Sequence, residues 1–202
     1  MLITDGRRLA PGASLAVRIS ALAQQARAAF AAGVDAVQIR EADLEGAALL
    51  DLARAIAAHG RAIVTDRADV AIAAGASGVH LKAGGPEPSR VRALLPAHMT
   101  LSRAVHDAGE AARFGADASL DWLLAGTAFS TASKPGRVPL GPPGLRALAQ
   151  ASRLPVVAIG GVTVENAGEL RAAGVAGVAA ISLFFRAVDP GNVDRLRDAS
   201  LE

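Results

Sequence analysis

Eight short apolar runs of strand length alternate with Ala-, Leu- and Arg-rich stretches of helical pattern along 202 residues. That alternation restricts the fold more than any other feature. The runs are Leu2–Thr4, Ala36–Arg40, Ala62–Asp66, Gly78–Leu81, Thr100–Ala104, Trp122–Ala125, Val156–Ile159 and Val178–Ile181. Helical patterns follow them at Leu15–Ala32, Leu44–His59, Ala68–Ala74, Pro88–Leu95, Ala108–Phe114, Pro143–Ala151, Val164–Ala173 and Asn192–Leu201. A helix between two strands carries the chain back to the starting end of the sheet, so successive strands run parallel with right-handed crossovers. The pattern predicts an α/β fold. Closure into a single (β/α)8 TIM barrel over residues 1–202 fits the strand count better than an open sheet. Ala31-Ala32-Gly33-Val34, Ala73-Ala74-Gly75-Ala76 and Ala172-Ala173-Gly174-Val175 share one grammar, in which a helix end meets a glycine cap before the next strand.

Composition removes several function classes. The chain has no cysteine, which excludes disulfides and thiolate metal sites. No apolar run approaches the roughly 20 residues needed to span a bilayer. Met1-Leu2-Ile3-Thr4-Asp5-Gly6-Arg7-Arg8 lacks the basic-then-apolar order of a signal peptide. A cytoplasmic protein with no membrane partner is therefore expected. The pI near 9.9 is a weak signal. The formal charge is only +2, no Tyr or Cys titrates, and a small excess of arginine carries the value upward. The arginines are dispersed and aromatics make up 3% of the chain, too few for a stacking platform, so no nucleic-acid partner is expected.

In a barrel of this type the chemistry lies where strands end. Those positions hold Gln38 and Arg40, Thr65-Asp66-Arg67, His80 and Lys82, and Arg103 and His106. They continue with Thr127, Ser130-Thr131-Ala132-Ser133-Lys134, Gly160-Gly161 and Ser182. Cations, hydroxyls and glycines outnumber carboxylates there, which favours a bound anion. The last two apolar runs end in small residues whose backbone N–H groups can cradle a phosphate, placing a phosphate site at the C-terminal ends of strands seven and eight. Period-two alternation sets Gln38 and Arg40 on one face. Residues 130–136 suit a lid over phosphate oxygens. His80 is expected to be structural, and His106 is left open between acid–base and structural roles. No histidine pair has metal-ligand spacing.

Several segments, in order and over nearly the whole chain, resemble the thiamine phosphate synthase and thiazole tautomerase (TenI-like) superfamily. They are Gln38-Ile39-Arg40-Glu41, Thr65-Asp66-Arg67-Ala68-Asp69, Gly78-Val79-His80-Leu81, Arg103-Ala104-Val105-His106, Thr131-Ala132-Ser133-Lys134-Pro135-Gly136, Val157-Ala158-Ile159-Gly160-Gly161-Val162-Thr163 with Glu165-Asn166, and Ile181-Ser182. The resemblance implies a (β/α)8 barrel in thiamine biosynthesis. The synthase joins hydroxymethylpyrimidine diphosphate to thiazole phosphate and releases pyrophosphate with Mg²⁺; the tautomerase shifts a proton on a thiazole carboxylate phosphate. Carried over by position, Gly160, Gly161, Ile181 and Ser182 would cradle the thiazole phosphate. Gln38 would face the pyrimidine, Arg40 and Lys134 would hold the pyrophosphate, and Thr131 and Ser133 would line the flexible loop. Asp66 would be one carboxylate near Mg²⁺.

The departures from the family pattern concentrate on one half of the site. Ala42 stands where the synthase has Lys, Thr65 where it has Asn, and Ala104 where it has Ser. The second metal carboxylate falls on Gly85, with Glu87 two residues on as a substitute and Lys82 as a replacement cation. The tautomerase histidine after the sixth strand corresponds to Thr127. Four roles therefore stay open: a synthase with a degenerate Mg²⁺ and diphosphate half-site, a tautomerase-like isomerase without a cofactor in which His106 or His80 serves, an inert phosphate-binding or regulatory paralogue, or another phosphate-dependent barrel enzyme outside thiamine metabolism. The oligomeric state, a homodimer included, also stays open. Gly161→Asp is expected to remove thiazole phosphate binding and leave the fold intact.

Overall fold

Each apolar run forms a strand and each following stretch a helix in a computed structural model that describes residues 1–131, 136, 138–185 and 188–198, so the end of the last expected helix, past Asp198, lies outside the described residues. The strands are β1 (Leu2–Ile3), β2 (Val37–Ile39), β3 (Ala62–Thr65), β4 (Gly78–Leu81), β5 (Thr100–Val105), β6 (Trp122–Gly126), β7 (Val156–Ile159) and β8 (Gly177–Ala179). All pair in parallel with their sequence neighbours, in the order β1 to β8. A bridge between Leu2 and Ala180 joins the last strand to the first and closes the (β/α)8 barrel. The helices are α1 (Gly6–Leu9), α2 (Leu15–Ala31), α3 (Gly46–Ala57), α4 (Ala68–Ala73), α5 (Pro88–Arg92), α6 (Ala108–Gly115), α7 (Gly141–Ala151), α8 (Ala167–Ala172) and α9 (Pro190–Asp198).

Local chemistry accounts for these boundaries. Asp107 caps α6 by accepting from the Glu110 N–H at 2.8 Å, and Pro88 opens α5 where a missing N–H costs nothing. Leu49, Leu52, Ala53 and Ile56 form the buried stripe of α3 at helical spacing. The echo glycines Gly33, Gly75 and Gly174 take φ of +91°, +65° and +83°, the left-handed caps their positions suggest. The short helix α1 was not anticipated. Gly6-Arg7-Arg8-Leu9 has no apolar period, and the turn is held by Asp5, whose carboxylate accepts from Arg8 N–H at 3.2 Å.

Alternation splits the strand residues between two cores. Outward residues such as Ile39, Val64, Val79, Leu101 and Leu123 pack against the helices in the main cluster. The interior is divided. Ile3, Leu124 and Ala179, with Trp122, Val157 and Ile159, fill the side formed by β1 and β6–β8. The opposite side, β2–β5, buries Gln38, His80 and Ser102, with Thr65 at its upper edge. The register Thr65↔His80↔Ser102↔Trp122 places these groups side by side.

Gly78 begins β4 facing inward beside Thr100. A Cβ there would lie 2.6 Å from the Thr100 carbonyl oxygen, so the two strands must separate to accept it. Gly78→Ala is expected to destabilise the barrel by about 1–3 kcal/mol, measured by urea denaturation.

Candidate active site

The C-terminal rim opens into a cavity of about 630 Å³. Residues on β1 to β7 and just past β8 converge on it, among them Gln38, Arg40, His80, Lys82, Gly160, Gly161 and Ser182. Its size and mixed walls suit a small-molecule site.

At one end β7 runs into Gly160 and Gly161, with φ of +106° and +63°. Side chains are excluded there twice over. A Cβ on Gly160 would meet Thr127 Cγ2 at 2.7 Å, and one on Gly161 would meet the Ser130 carbonyl at 2.6 Å. Gly161→Asp would therefore push the Phe129–Ser130 backbone aside, contrary to the expectation that the fold is left untouched. Asn166 fixes the turn from behind. Its Nδ2 donates to the Gly161 carbonyl at 2.9 Å while its Oδ1 accepts from Thr163 N–H at 2.8 Å. The N–H groups of Gly161, Val162 and Ser182 find no acceptor among the described residues. These donors and Ile181 line the same end of the cavity, an arrangement that can receive phosphate oxygens.

The opposite wall is built from β2–β5. Gln38 donates from Nε2 to Thr65 Oγ1 at 3.1 Å, and its Oε1 is buried without a partner among the described residues. Whichever way the amide is turned, one of its polar atoms is left for a ligand. Arg40 follows β2 on the same face, anchored by its N–H to Thr4 Oγ1 at 2.9 Å, and its side chain is exposed to the cavity. His80 is 3% exposed, hydrogen-bonded through Nδ1 to Ser102 Oγ at 2.9 Å and stacked on Trp122. Burial, then the Arg40 and Arg103 charges, push its pKa down to about 4. The histidine is neutral at pH 7, in keeping with the expected structural role.

The loop between β4 and α5 departs furthest from a metal site. Asp66 accepts from Lys82 N–H at 2.9 Å through Oδ1, and its Oδ2 is paired with Lys82 Nζ at 2.7 Å. Gly85 offers no side chain beside it. Glu87 turns away to Arg113, 3.4 Å distant. Arg103 points outward between Ser102 and Ala104, away from the cavity. It donates to the carbonyls of Pro86 at 2.8 Å and Ala83 at 2.5 Å, and lies 4.3 Å from the Phe114 ring centroid. No group of three or more His, Asp or Glu gathers among the described residues. Mg²⁺ is ordinarily held by one or two carboxylates together with waters and substrate phosphates; here the candidate carboxylate, Asp66, has both oxygens engaged by Lys82, and these residues do not fit a protein-held ion.

His106 reaches the cavity just past β5, with Nδ1 3.3 Å from Glu110 Oε2. Thr131 also lines the cavity, whereas Ser133 and Lys134 lie outside the described residues. Sequence reasoning missed Asp5, in the β1–α1 connection, and Arg8, on α1, which both line the cavity. Asp5, next to the end of β1, was a readable signal; Arg8 depended on the unanticipated α1. A second cavity of about 600 Å³ abuts the first and shares Asp5, Arg40, Thr65 and Lys82 with it. Ala42 lines this second space, where a longer side chain would otherwise project.

Comparison with known proteins agrees with the barrel fold. Residues 13–184 match the family described as thiamine monophosphate synthase. The thiamine-phosphate synthase of Laribacter hongkongensis is 39% identical over 174 residues, covering 83% of this chain and 82% of that protein. A putative thiamine-phosphate synthase of Geobacter sulfurreducens is 39% identical over 168 residues, covering 80% and 78%. The solved thiamine phosphate pyrophosphorylase of Pyrococcus furiosus superposes with a TM-score of 0.81 at 28% identity, over 98% of this chain and 93% of that one.

The depressed His80 pKa has a measurable consequence. The folded state resists protonation that the unfolded chain accepts near pH 6.5, so this stability is present above that pH. It is lost as pH falls toward about 4, by on the order of 3 kcal/mol. Urea midpoints from pH 7 to pH 4 are expected to fall more steeply for the wild type than for His80→Gln. Parallel slopes would show that His80 takes up its proton without cost.

Proposed function

Because this chain belongs to the thiamine monophosphate synthase family, we propose that it joins hydroxymethylpyrimidine diphosphate to thiazole phosphate and releases pyrophosphate. One observation carries the reading: a single cavity has, at one end, a cup of backbone N–H groups with no acceptor among the described residues and, at the other, an amide with cations. The thiazole phosphate takes the Gly160, Gly161, Ile181 and Ser182 end, where neutral donors meet its oxygens. Gln38 reads the pyrimidine edge with the polar atom that Thr65 leaves free. Ile3, Leu124 and Ile159 supply an apolar floor for the two rings. Arg40 holds the diphosphate, together with Lys134.

In this reaction the bond between the pyrimidine methylene carbon and the diphosphate oxygen breaks, and its electron pair leaves with pyrophosphate. The thiazole nitrogen then donates its lone pair to the methylene carbon, forming the new carbon–nitrogen bond. Guanidinium and ammonium groups lower the barrier by stabilising charge that grows on the leaving oxygens. The two ends of the cavity lower it further by holding nitrogen and carbon within reach. A tautomerase reading lacks a titrating group at the sixth strand, where Thr127 is buried. It would rest on His106 or on the buried His80, which also line the cavity.

Purified protein given both substrates is expected to form thiamine phosphate and an equal amount of pyrophosphate, followed by chromatography. Binding of thiazole phosphate with neither coupling nor tautomer conversion would favour the inert paralogue instead. Gly161→Ala, whose Cβ meets the Ser130 carbonyl, is expected to weaken thiazole phosphate binding at least about tenfold while sparing pyrophosphate binding. Calorimetric titration of each ligand checks this, and unchanged thiazole phosphate affinity would displace the cup from Gly160-Gly161.

A further inference from the structure

We propose that Lys82, aimed by Asp66, is a built-in cation that receives the diphosphate, so that this half of the site binds its anion without a metal held by the protein. The inference rests on the synthase reading and names the group that meets the leaving diphosphate.

Asp66 follows β3 with φ of +59°, the non-glycine residue with positive φ among those described. Such a backbone persists only where its surroundings over-determine it. Here they do. The Asp66 N–H donates to the His80 carbonyl at 2.8 Å, its Oδ1 accepts from Lys82 N–H at 2.9 Å, and its Oδ2 meets Lys82 Nζ at 2.7 Å. Both carboxylate oxygens are thus directed at one residue, and the pair carries no net charge with which to draw a divalent ion. To bind there, Mg²⁺ would have to displace an ammonium and a backbone N–H that already hold the carboxylate.

The facing loop gives a metal nothing in exchange. A Cβ on Gly85 would lie 3.5 Å from Asp66 Oδ1, so position 85 adjoins the carboxylate but brings no oxygen ligand. Arg103 binds the carbonyls of Ala83 and Pro86, which holds this loop against β5 and keeps Glu87 from swinging in.

Lys82 has the reach and the chemistry for an anion. Its side chain is 63% exposed, and it lies on the wall that the two cavities share with Arg40. One ammonium proton is directed at Asp66, which leaves two for phosphate oxygens. A compact ammonium binds phosphate as a point charge, whereas Arg40 adds a planar fork of donors. Arg67 is not a substitute, because Asp69 takes its guanidinium in two bonds of 2.9 and 2.7 Å.

Calorimetric titration of chelator-treated protein with inorganic pyrophosphate tests this. The wild type is expected to bind pyrophosphate in EDTA with an affinity that added Mg²⁺ leaves nearly unchanged. Lys82→Ala is expected to weaken that metal-free binding at least about tenfold. In Mn²⁺ electron paramagnetic resonance, the protein alone is expected to bind no stoichiometric ion. Pyrophosphate binding only with Mg²⁺, an unaffected Lys82→Ala, or a stoichiometric Mn²⁺ site removed by Asp66→Asn would each overturn the proposal while leaving the synthase reading intact. Absence of pyrophosphate binding under both conditions would overturn the synthase reading and this proposal together.

Discussion

The bridge between Leu2 and Ala180 closes the sheet on itself, and every distance on the functional rim depends on that closure. Ile3 N–H donates to the Ala180 carbonyl at 2.9 Å, and Ala180 N–H to the Met1 carbonyl at 3.1 Å, so β1 is tied to the end of β8. The tie brings Asp5 and Arg8 to the same cavity as Ser182, although nearly the whole chain separates them. An open sheet with the same strands would leave the Gly160-Gly161 cup and the Gln38 wall at different edges.

Closure also creates the division that gives the interior its chemistry. One side is apolar, built on Ile3, Leu124 and Ala179. The other buries Gln38, His80 and Ser102. Buried polar groups are costly unless they are paired, and here neighbouring strands supply the partners through register: Thr65 for Gln38, and Ser102 for His80. The atom left over on Gln38 is therefore informative, because its surroundings are otherwise satisfied. Arg103 follows the same logic outside the barrel. Burial lowers its pKa, and its guanidinium meets loop carbonyls and the Phe114 face. A group that looks like an anion ligand in the sequence thereby becomes the clamp of the β4–α5 loop.

Much of the site was legible because it is local. Gly160 and Gly161 follow an apolar run directly, and their positive φ is a property of the turn they make. Gln38 and Arg40 share a face through period-two alternation alone. The same alternation turns Arg103 outward once Ser102 faces in, so its role was readable from its neighbours rather than from its nearness to a strand end. Arg8 was not legible, since it reaches the cavity from a four-residue helix with no apolar period.

The amino-acid sequence by itself determined the eight-fold alternation, the glycine caps, the Gly160-Gly161 turn and the family resemblance, because each rests on residues within a few positions of one another. The absence of cysteine and the departures at Ala42, Thr65, Gly85, Ala104 and Thr127 are also its properties. Only the tertiary structure decided which groups stand beside those departures. The β3–β4 register, Thr65 beside His80, sets Asp66 against Lys82 sixteen residues away. The Arg103 clamp fixes the loop that carries Gly85 and Glu87. Whether a carboxylate faces a metal, a lysine or solvent is settled by distances of about 3 Å across strands. Separation along the chain does not carry that information.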